Sequence, residues 1–512
     1  MKKNSLFKIL GITFLVAVIL TWVFKTASYS GEISLGDRAQ LGLYDMIQYV
    51  FYSFRFFSGI MVFVLLTGAL YGVLGATGVY ERFIEAIANK FKKRKELVLV
   101  AIIAILAILS SFVGLEFAMF AFFPFLISLI MAMGYDKIVA VGATLGGTIV
   151  GMIGSLYSAS MFSNVNSTLS LNYATETLMK CILLILGIGL LVLFTMLYVR
   201  KGKKAKKQSS PALVKEDSSK KAELIKCKEC GKKIDDKSKI CPHCGIKIIN
   251  DGVKEKKDKN KKTPLWPLIV VFSLVLVIMI IGSFDWSGAA GITWFQDIYT
   301  KIMNVKIGGF AIFSKIFGNF PAFGTWGIDS YGYASFDAYA ILIALASILI
   351  AIIYKVKFSD YLKSMLDGAK KALLPALLIA VAYAILIITV YNPVFLNISN
   401  FFLTITEKFN VLTTSFAIMI NSIFNVEIGY FAQNELTFIS GIFADSTIYP
   451  LIGMMFTSLF SLMSLIMPTG LLLIATLSYT DTSYLDWIKY IWKVFVGILV
   501  VCLILFTLMY LI

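Results

Sequence analysis

The chain has 512 residues, 58% of them hydrophobic and 15% charged, with a formal net charge of +17. That is more apolar material than a soluble domain of this length needs for its core, which excludes an ordinary water-soluble enzyme or binding module. The charge says less than its size suggests, because residues 200–263 hold 22 of the 47 basic and 9 of the 30 acidic side chains and so account for +13 of it.

Taken in chain order, Met1-Lys2-Lys3 precedes an apolar run, Phe7–Phe24, that lacks a small-residue cleavage site and reads as a first transmembrane helix rather than a signal peptide. An amphipathic stretch (Leu43–Phe57), a helix (Phe57–Tyr80), a basic turn (Lys90–Lys95), a long run (Leu97–Gly134), a glycine-interrupted span (Ile138–Ser160) and a closing helix (Leu178–Val199) follow. The polar loop comes next, then a lone span, Leu265–Gly282. After residue 335 the order repeats: a helix (Ala338–Tyr354), an amphipathic stretch (Phe358–Lys371), a helix (Leu373–Tyr391), a surface stretch ending Thr406-Glu407-Lys408-Phe409, a long run split between Val411–Phe424 and Leu436–Phe443, an interrupted span (Leu451–Leu477) and a closing helix (Ile491–Ile512).

Six elements, one extra crossing and six more elements invert the second half relative to the first, the pattern on which alternating access is usually built. The expected fold is therefore all-α and polytopic, with two inverted-topology repeats containing re-entrant hairpins and broken helices, plus a small zinc ribbon. The expected domains are an N-terminal membrane repeat (1–199), a basic loop (200–263) with the ribbon at about 224–249, a linking helix with an extracellular loop (264–335), and a C-terminal inverted repeat (336–512). Short basic loops mark the cytoplasmic side, so the N-terminus and residues 200–263 are expected in the cytoplasm of a multi-pass plasma-membrane protein. The Lys-rich loop suits anionic lipid heads better than nucleic acid, which is not an expected partner.

The 38 residues Leu97–Gly134 make two short helices joined at "SSFVGLE", where Ser110, Ser111, Gly114 and Glu116 sit. If that joint is a midplane tip, Glu116 faces a site; if it is an extracellular turn, the carboxylate lies in water and costs nothing. The second half has a counterpart in "NSIFNVEIGYFAQNE", with Asn425, Glu427 and Gly429 between apolar runs. In the interrupted spans, Gly151 and Ser155 belong to a glycine series that serves either close helix packing or a helix break. Ser464, Pro468, Thr469 and Gly470 mark a break more sharply, since proline removes a backbone donor and clashes with the preceding turn. These thirteen residues are the expected substrate or coupling-ion site, the coupling ion being H+ or Na+.

In the polar loop, "CKECGKKIDDKSKICPHCG" sets Cys227, Cys230, Cys241 and Cys244 as two Cys-x-x-Cys knuckles. Four thiolates complete a tetrahedral structural zinc site with no open coordination position, so the ribbon reads as a docking or regulatory module and the chain is not expected to be an enzyme. Cys181 and Cys502 lie in apolar runs and read as core.

Three segments resemble the YfcC/DcuC-like carriers of the ion transporter superfamily. "LLTGALYGVLGATGVYERFIEAI" (Leu65–Ile87) is similar to their Gly-rich second helix, "PFLISLIMAMGYDKIVAVGATLGG" (Pro124–Gly147) to their hairpin exit, and "PTGLLLIATLSYTDTSYLDWIKYIWKV" (Pro468–Val494) to their C-terminal segment. Where those carriers have tandem glutamates after the glycine, this chain has Glu116 alone. The resemblance implies a secondary active transporter of a dicarboxylate or an amino acid, while carboxylates at both tips favour a zwitterionic or cationic solute, or a coupling-ion role beside an anionic one. The alternative is a membrane-embedded sensor or scaffold, a degenerate carrier signalling through the ribbon. Partners implied are the solute, the lipid bilayer and a protein docking on the ribbon, with a homodimer as an open assembly.

Overall fold

The computed structural model describes residues 5–208, 225–226, 233–234, 263–293, 297, 300–302, 304–312, 336–406 and 408–511. Among these residues, nine helices are long and apolar enough to cross a membrane. The chain is a predominantly helical, multi-pass membrane protein.

The first half runs α1 (Ser5–Val23), α2 (Leu43–Ala76), α3 (Tyr80–Lys90) and then hairpin 1, made of α4 (Lys95–Ile108) and α5 (Phe123–Ala132). An interrupted helix follows, α6 (Lys137–Val141) with α7 (Gly147–Ile153), then α8 (Ala159–Leu169) beyond a break, and α9 (Thr177–Gln208). A single helix, α10 (Trp266–Ser283), and a short one, α11 (Trp286–Ala290), lead to the second half. There α12 (Phe336–Ile353), α13 (Phe358–Tyr391) and α14 (Phe395–Leu403) precede hairpin 2, made of α15 (Val411–Ser422), α16 (Ile428–Phe431) and α17 (Thr437–Ile442). The last elements are α18 (Tyr449–Met463), a break, α19 (Leu471–Tyr479) and α20 (Tyr484–Leu511). The membrane helices and hairpins of one half recur in the same order in the other.

The counterparts run antiparallel, which is the inversion itself. Gly68 of α2 faces Gly368 and Ala372 of α13, whereas Gly72, one turn later, faces Ser364 and Gly368, one turn earlier. A Cβ at Gly68 would lie 2.6 Å from that of Ala372, so the two longest helices touch through small residues. The closing helices repeat the sense: Gly187 of α9 lies toward Ile498 of α20, and Thr195, two turns on, bonds Tyr490 at 2.8 Å.

The amphipathic stretches expected as separate elements are instead continuous with the spans that follow them. α2 and α13 each have 34 residues. The joint survives as a local defect in both: Phe57 leaves helical geometry (φ −123°, ψ 26°) inside α2, and Pro375 interrupts the hydrogen-bond ladder of α13.

A two-stranded hairpin, β1 (Ala27–Tyr29) and β2 (Ile33–Leu35), follows α1 and reaches across to the second half. The Ala27 amide donates to the Pro393 carbonyl at 3.0 Å, and Tyr29 sets its ring edge-on to Phe438 at 5.5 Å. The predicted core cysteines hold, Cys502 being buried and Cys181 half-buried.

Two further strands, β3 (Ile225–Lys226) and β4 (Lys233–Ile234), pair antiparallel within the polar loop. Cys227 and Cys230 fall between them in sequence. All four proposed zinc ligands, Cys227, Cys230, Cys241 and Cys244, lie outside the described residues.

Candidate functional site

The end of α4 widens into a π-turn (Leu109–Val113), and the chain then reverses at Gly114, whose φ of +75° is the left-handed conformation that L side chains resist. A Cβ at Gly114 would also sit 2.8 Å from Ser158 Oγ, so a side chain here meets two obstacles. The chain resumes as a 3₁₀ helix (Glu116–Phe122) before α5. Hairpin 2 turns over residues 423–427, with Glu427 at the start of α16.

Each tip is fastened to the broken helix of its own half. In the first half, Ser111 Oγ donates to the Gly154 carbonyl at 2.7 Å, and the Ser111 carbonyl accepts from the amides of Leu156 and Tyr157 at 2.9 and 3.1 Å. In the second half the direction reverses, Thr469 Oγ1 donating to the Ile423 carbonyl at 2.7 Å. Non-helical backbone at membrane depth needs such partners, because no water is there to supply them.

The serines near Pro468 do not satisfy the carbonyls freed by that break. Ser461 and Ser464 bond carbonyls of their own helix, Thr457 at 2.7 Å and Phe460 at 3.1 Å. The freed carbonyls are met from α20: Trp487 Nε1 donates to Leu465 at 2.7 Å, and Tyr484 donates to Ile466. On the other side, Ser458 of α18 donates to Ile153 at 3.0 Å, so the halves support each other's breaks.

Between the two tips and the two breaks lies a cavity of about 320 Å³. Glu116 and Phe117 enter it from hairpin 1, Ser160, Ser163 and Asn164 from α8, and Glu427 and Gly429 from hairpin 2. Ser464, Gly470 and Leu471 close it from the second break, and Phe336 of α12 covers one wall. None of the lining residues is Lys, Arg or His.

Glu116 is half-buried, and its Oε1 accepts from Ser158 Oγ at 2.6 Å and Ser160 Oγ at 2.7 Å. Ser158 is also the N-cap of α8, accepting from the Met161 amide at 3.3 Å, so the carboxylate stands at a helix N-terminus whose dipole favours negative charge. Glu427 accepts from the Tyr383 hydroxyl, and Tyr383 in turn stacks on Phe57, the kink residue of α2, with ring centroids 4.0 Å apart. Both carboxylates thus have neutral hydroxyl donors and no cationic partner among the described residues. Such an arrangement suits a positively charged group entering the cavity, whether a proton, a metal ion or an ammonium.

Of the thirteen residues expected at the site, Glu116, Glu427, Gly429, Ser464 and Gly470 line this cavity. The other eight lie behind it. Ser111 and Thr469 hold the tips, Gly114 makes the first turn, and Pro468 lies within the second break. Asn425 is buried and donates to the Asn421 carbonyl at 2.9 Å. A Cβ on Gly151 would lie 2.8 Å from that of Ser110, which makes this glycine a packing position between α7 and α4. The Ser110 and Ser155 hydroxyls are buried without a hydrogen-bond partner. Tyr383, Ser158, Ser160 and Asn164 were not among the thirteen. The serines follow the last glycine of the interrupted span, a signal present in the sequence, whereas Tyr383 lies in an apolar helix that reads as core.

Residues 4–234 match the family model for DcuC, the C4-dicarboxylate anaerobic carrier, and residues 226–248 match that of a zinc-ribbon domain. The resemblance to DcuC-like carriers with an inserted zinc ribbon, first read from the sequence, is borne out by these matches. No curated protein sequence matches the chain. Among solved structures, it is similar to the YdaH transporter of Alcanivorax borkumensis at 10% identity and a TM-score of 0.38, covering 98% of each chain. It is likewise similar to MtrF of Neisseria gonorrhoeae, described among a class of antimetabolite efflux pumps, at 13% identity and a TM-score of 0.37, covering 98% of this chain and 94% of that one. Nine membrane-length helices among the described residues, together with the carrier family match, make this a membrane transporter.

Proposed function

We propose that the protein is a secondary active carrier, not an enzyme, that moves a small organic solute by alternating access with proton or sodium coupling. The observation that carries this reading is that the tip carboxylates of the two inverted halves, Glu116 and Glu427, open into one cavity flanked by both broken helices. Inverted repeats meeting at a central site are the usual basis of alternating access.

The absence of Lys, Arg and His from the cavity lining favours a solute with an ammonium group, such as an amino acid or another zwitterion. A dicarboxylate, the solute named for the family over residues 4–234, would need the two glutamates protonated or paired with a coupling cation. In this reading Ser464, Gly429 and Gly470 shape the cavity, and Ser110, Ser111, Gly114, Gly151, Ser155, Asn425, Pro468 and Thr469 hold its frame. Residues 1–199 and 336–512 form the two repeats, with the N-terminus and residues 200–263 in the cytoplasm. The ribbon would hold one structural zinc on Cys227, Cys230, Cys241 and Cys244 and offer a docking surface to a protein partner.

The test is uptake into proteoliposomes holding the purified full chain, with labelled amino acids and labelled succinate offered under a proton gradient, a sodium gradient or neither. Gradient-driven accumulation of an amino acid supports the reading. Accumulation of succinate alone would overturn the preference for a zwitterion, and binding without flux under every gradient would favour a sensor.

A further inference from the structure

The most deeply buried carboxylate described in the membrane region does not face the cavity. Glu435 is 2% exposed and lies in a π-turn (Ala432–Leu436) between α16 and α17. Its Oε1 accepts from Asn421 Nδ2 of α15 at 2.9 Å. The same nitrogen is directed at the Phe395 carbonyl at 3.2 Å and at Ser399 Oγ, both on α14.

An amide nitrogen has two hydrogens, and here three oxygens compete for them. Asn421 Oδ1, on a side chain fully withdrawn from solvent, has no donor at all. Besides the two amide hydrogens the cluster has that of the Ser399 hydroxyl, and among the described contacts it holds no positive charge. The elements packed around it supply no positive charge: α8, α14, α15, α16 and α17 contain no Asp, Glu, Lys, Arg or His. Their one titratable side chain, Tyr430, is 37% exposed and packs against Phe57. Glu427, the other acid of hairpin 2, is engaged by Tyr383.

We propose that Glu435 is a proton-binding site, carried as the neutral carboxylic acid, and that this proton holds the two arms of hairpin 2 against α14. An ionised carboxylate without water or a cation is strongly disfavoured, and a proton is the one cation that needs no coordination space. Neutral Glu435 adds a further donor to a cluster in which Asn421 Oδ1 has none. Losing that proton leaves a charge that must draw in water, so proton release and separation of hairpin 2 from α14 favour each other. The site rests on contacts that include neither Glu116 nor Glu427 and is independent of the identity of the solute.

The experiment is infrared spectroscopy of the full chain in detergent and heavy water, following the carbonyl stretch of un-ionised carboxyl groups at neutral pH. Glu435→Gln, which keeps the shape of the neutral acid, should remove one such band that the wild type retains. The same variant should flatten the pH dependence of thermal unfolding. A proton held by the native state and released on unfolding makes wild-type stability fall as pH rises, and the variant has no such proton to lose. Should the glutamine variant fail to fold, Asn421→Ser provides the check, because changing the hydrogen bond must shift the frequency of that band. If no band is lost or shifted, Glu435 is ionised and the proposal fails. If the band appears only when sodium is replaced by choline, a metal cation holds the site and the proposal fails equally.

Discussion

Thr469 donates its hydroxyl to the carbonyl of Ile423 across 2.7 Å, joining the tip of hairpin 2 to the break that follows α18. Ser111 and Gly154 make the corresponding bond in the first half, also at 2.7 Å, but with the hydroxyl on the hairpin and the carbonyl on the broken helix. The inverted halves solve one problem, the unsatisfied carbonyl, from opposite sides.

Removing either hydroxyl should therefore cost stability. Thr469→Val and Ser111→Ala each leave a buried carbonyl unpaired, a loss of about 1–3 kcal/mol. Thermal unfolding in detergent should show both variants below the wild type. A Thr469→Ser variant, which keeps the donor, should recover most of the loss, and equal destabilisation by serine and valine would show that the bond does not matter.

Glu116→Gln retains size and hydrogen-bonding groups but cannot titrate. Coupled uptake should be lost, whereas exchange of solute for solute, which needs no net proton movement, should partly survive. Glu116→Ala should lose both activities. If sodium couples, Glu116→Gln should instead weaken the sodium dependence, by about tenfold for each 1.4 kcal/mol of ion interaction removed. Unchanged rate and ion dependence in Glu116→Gln would place this carboxylate outside the cycle.

Ser158→Ala and Ser160→Ala each remove one hydroxyl donor to Glu116. Hydrogen bonds to a charged group contribute about 1.5–3 kcal/mol, so each variant should raise the solute or ion concentration for half-maximal uptake by roughly 10-fold to 100-fold. Asn164→Ala, which removes a lining residue without touching Glu116, serves as the comparison in the same assay. Equal effects from all three would mean that the serines act through cavity shape alone.

Metal analysis of the purified chain should find one zinc, lost on converting Cys227 and Cys230 to serine. Deleting residues 223–249 should leave the unfolding temperature of the membrane part unchanged, because a zinc ribbon folds on its metal and needs no membrane neighbour. A deletion that prevents membrane insertion would refute the second statement while leaving the first open to its own test.

Cysteine labelling from the two sides of sealed vesicles should find residue 3 on the cytoplasmic side and residue 512 on the other. The antiparallel pairing of α2 with α13 and of α9 with α20 requires an odd number of crossings between equivalent points. Both termini on one side would contradict the proposed topology.

The frame was legible in the sequence because hydrocarbon thickness imposes a length on every span, and repeats of spans and breaks can be read without knowing any contact. The joint of hairpin 1 was legible for a related reason, since Gly114 and Glu116 have no business in the middle of an apolar helix. Hairpin 2 could be located from Glu427 and Gly429 in the same way. The supports behind the site were not legible. Tyr383, Tyr484 and Trp487 are aromatic residues in apolar helices, and their polar atoms matter only because the fold brings a carboxylate or a freed carbonyl opposite them. Gly151 shows the reverse limit, since glycine spacing looks the same whether it serves packing or a break, and only the neighbouring helix decides.

At 1.5 Å per residue a helix of 34 residues extends about 51 Å, while the hydrocarbon layer is about 30 Å thick. α2 is thus longer than the layer it crosses, and Phe57 divides it into two arms. The Phe57 ring lies flat against Tyr383, which holds Glu427. A change in the angle between the two arms at Phe57 would therefore be felt first at Tyr383 and, through it, at the cavity carboxylate.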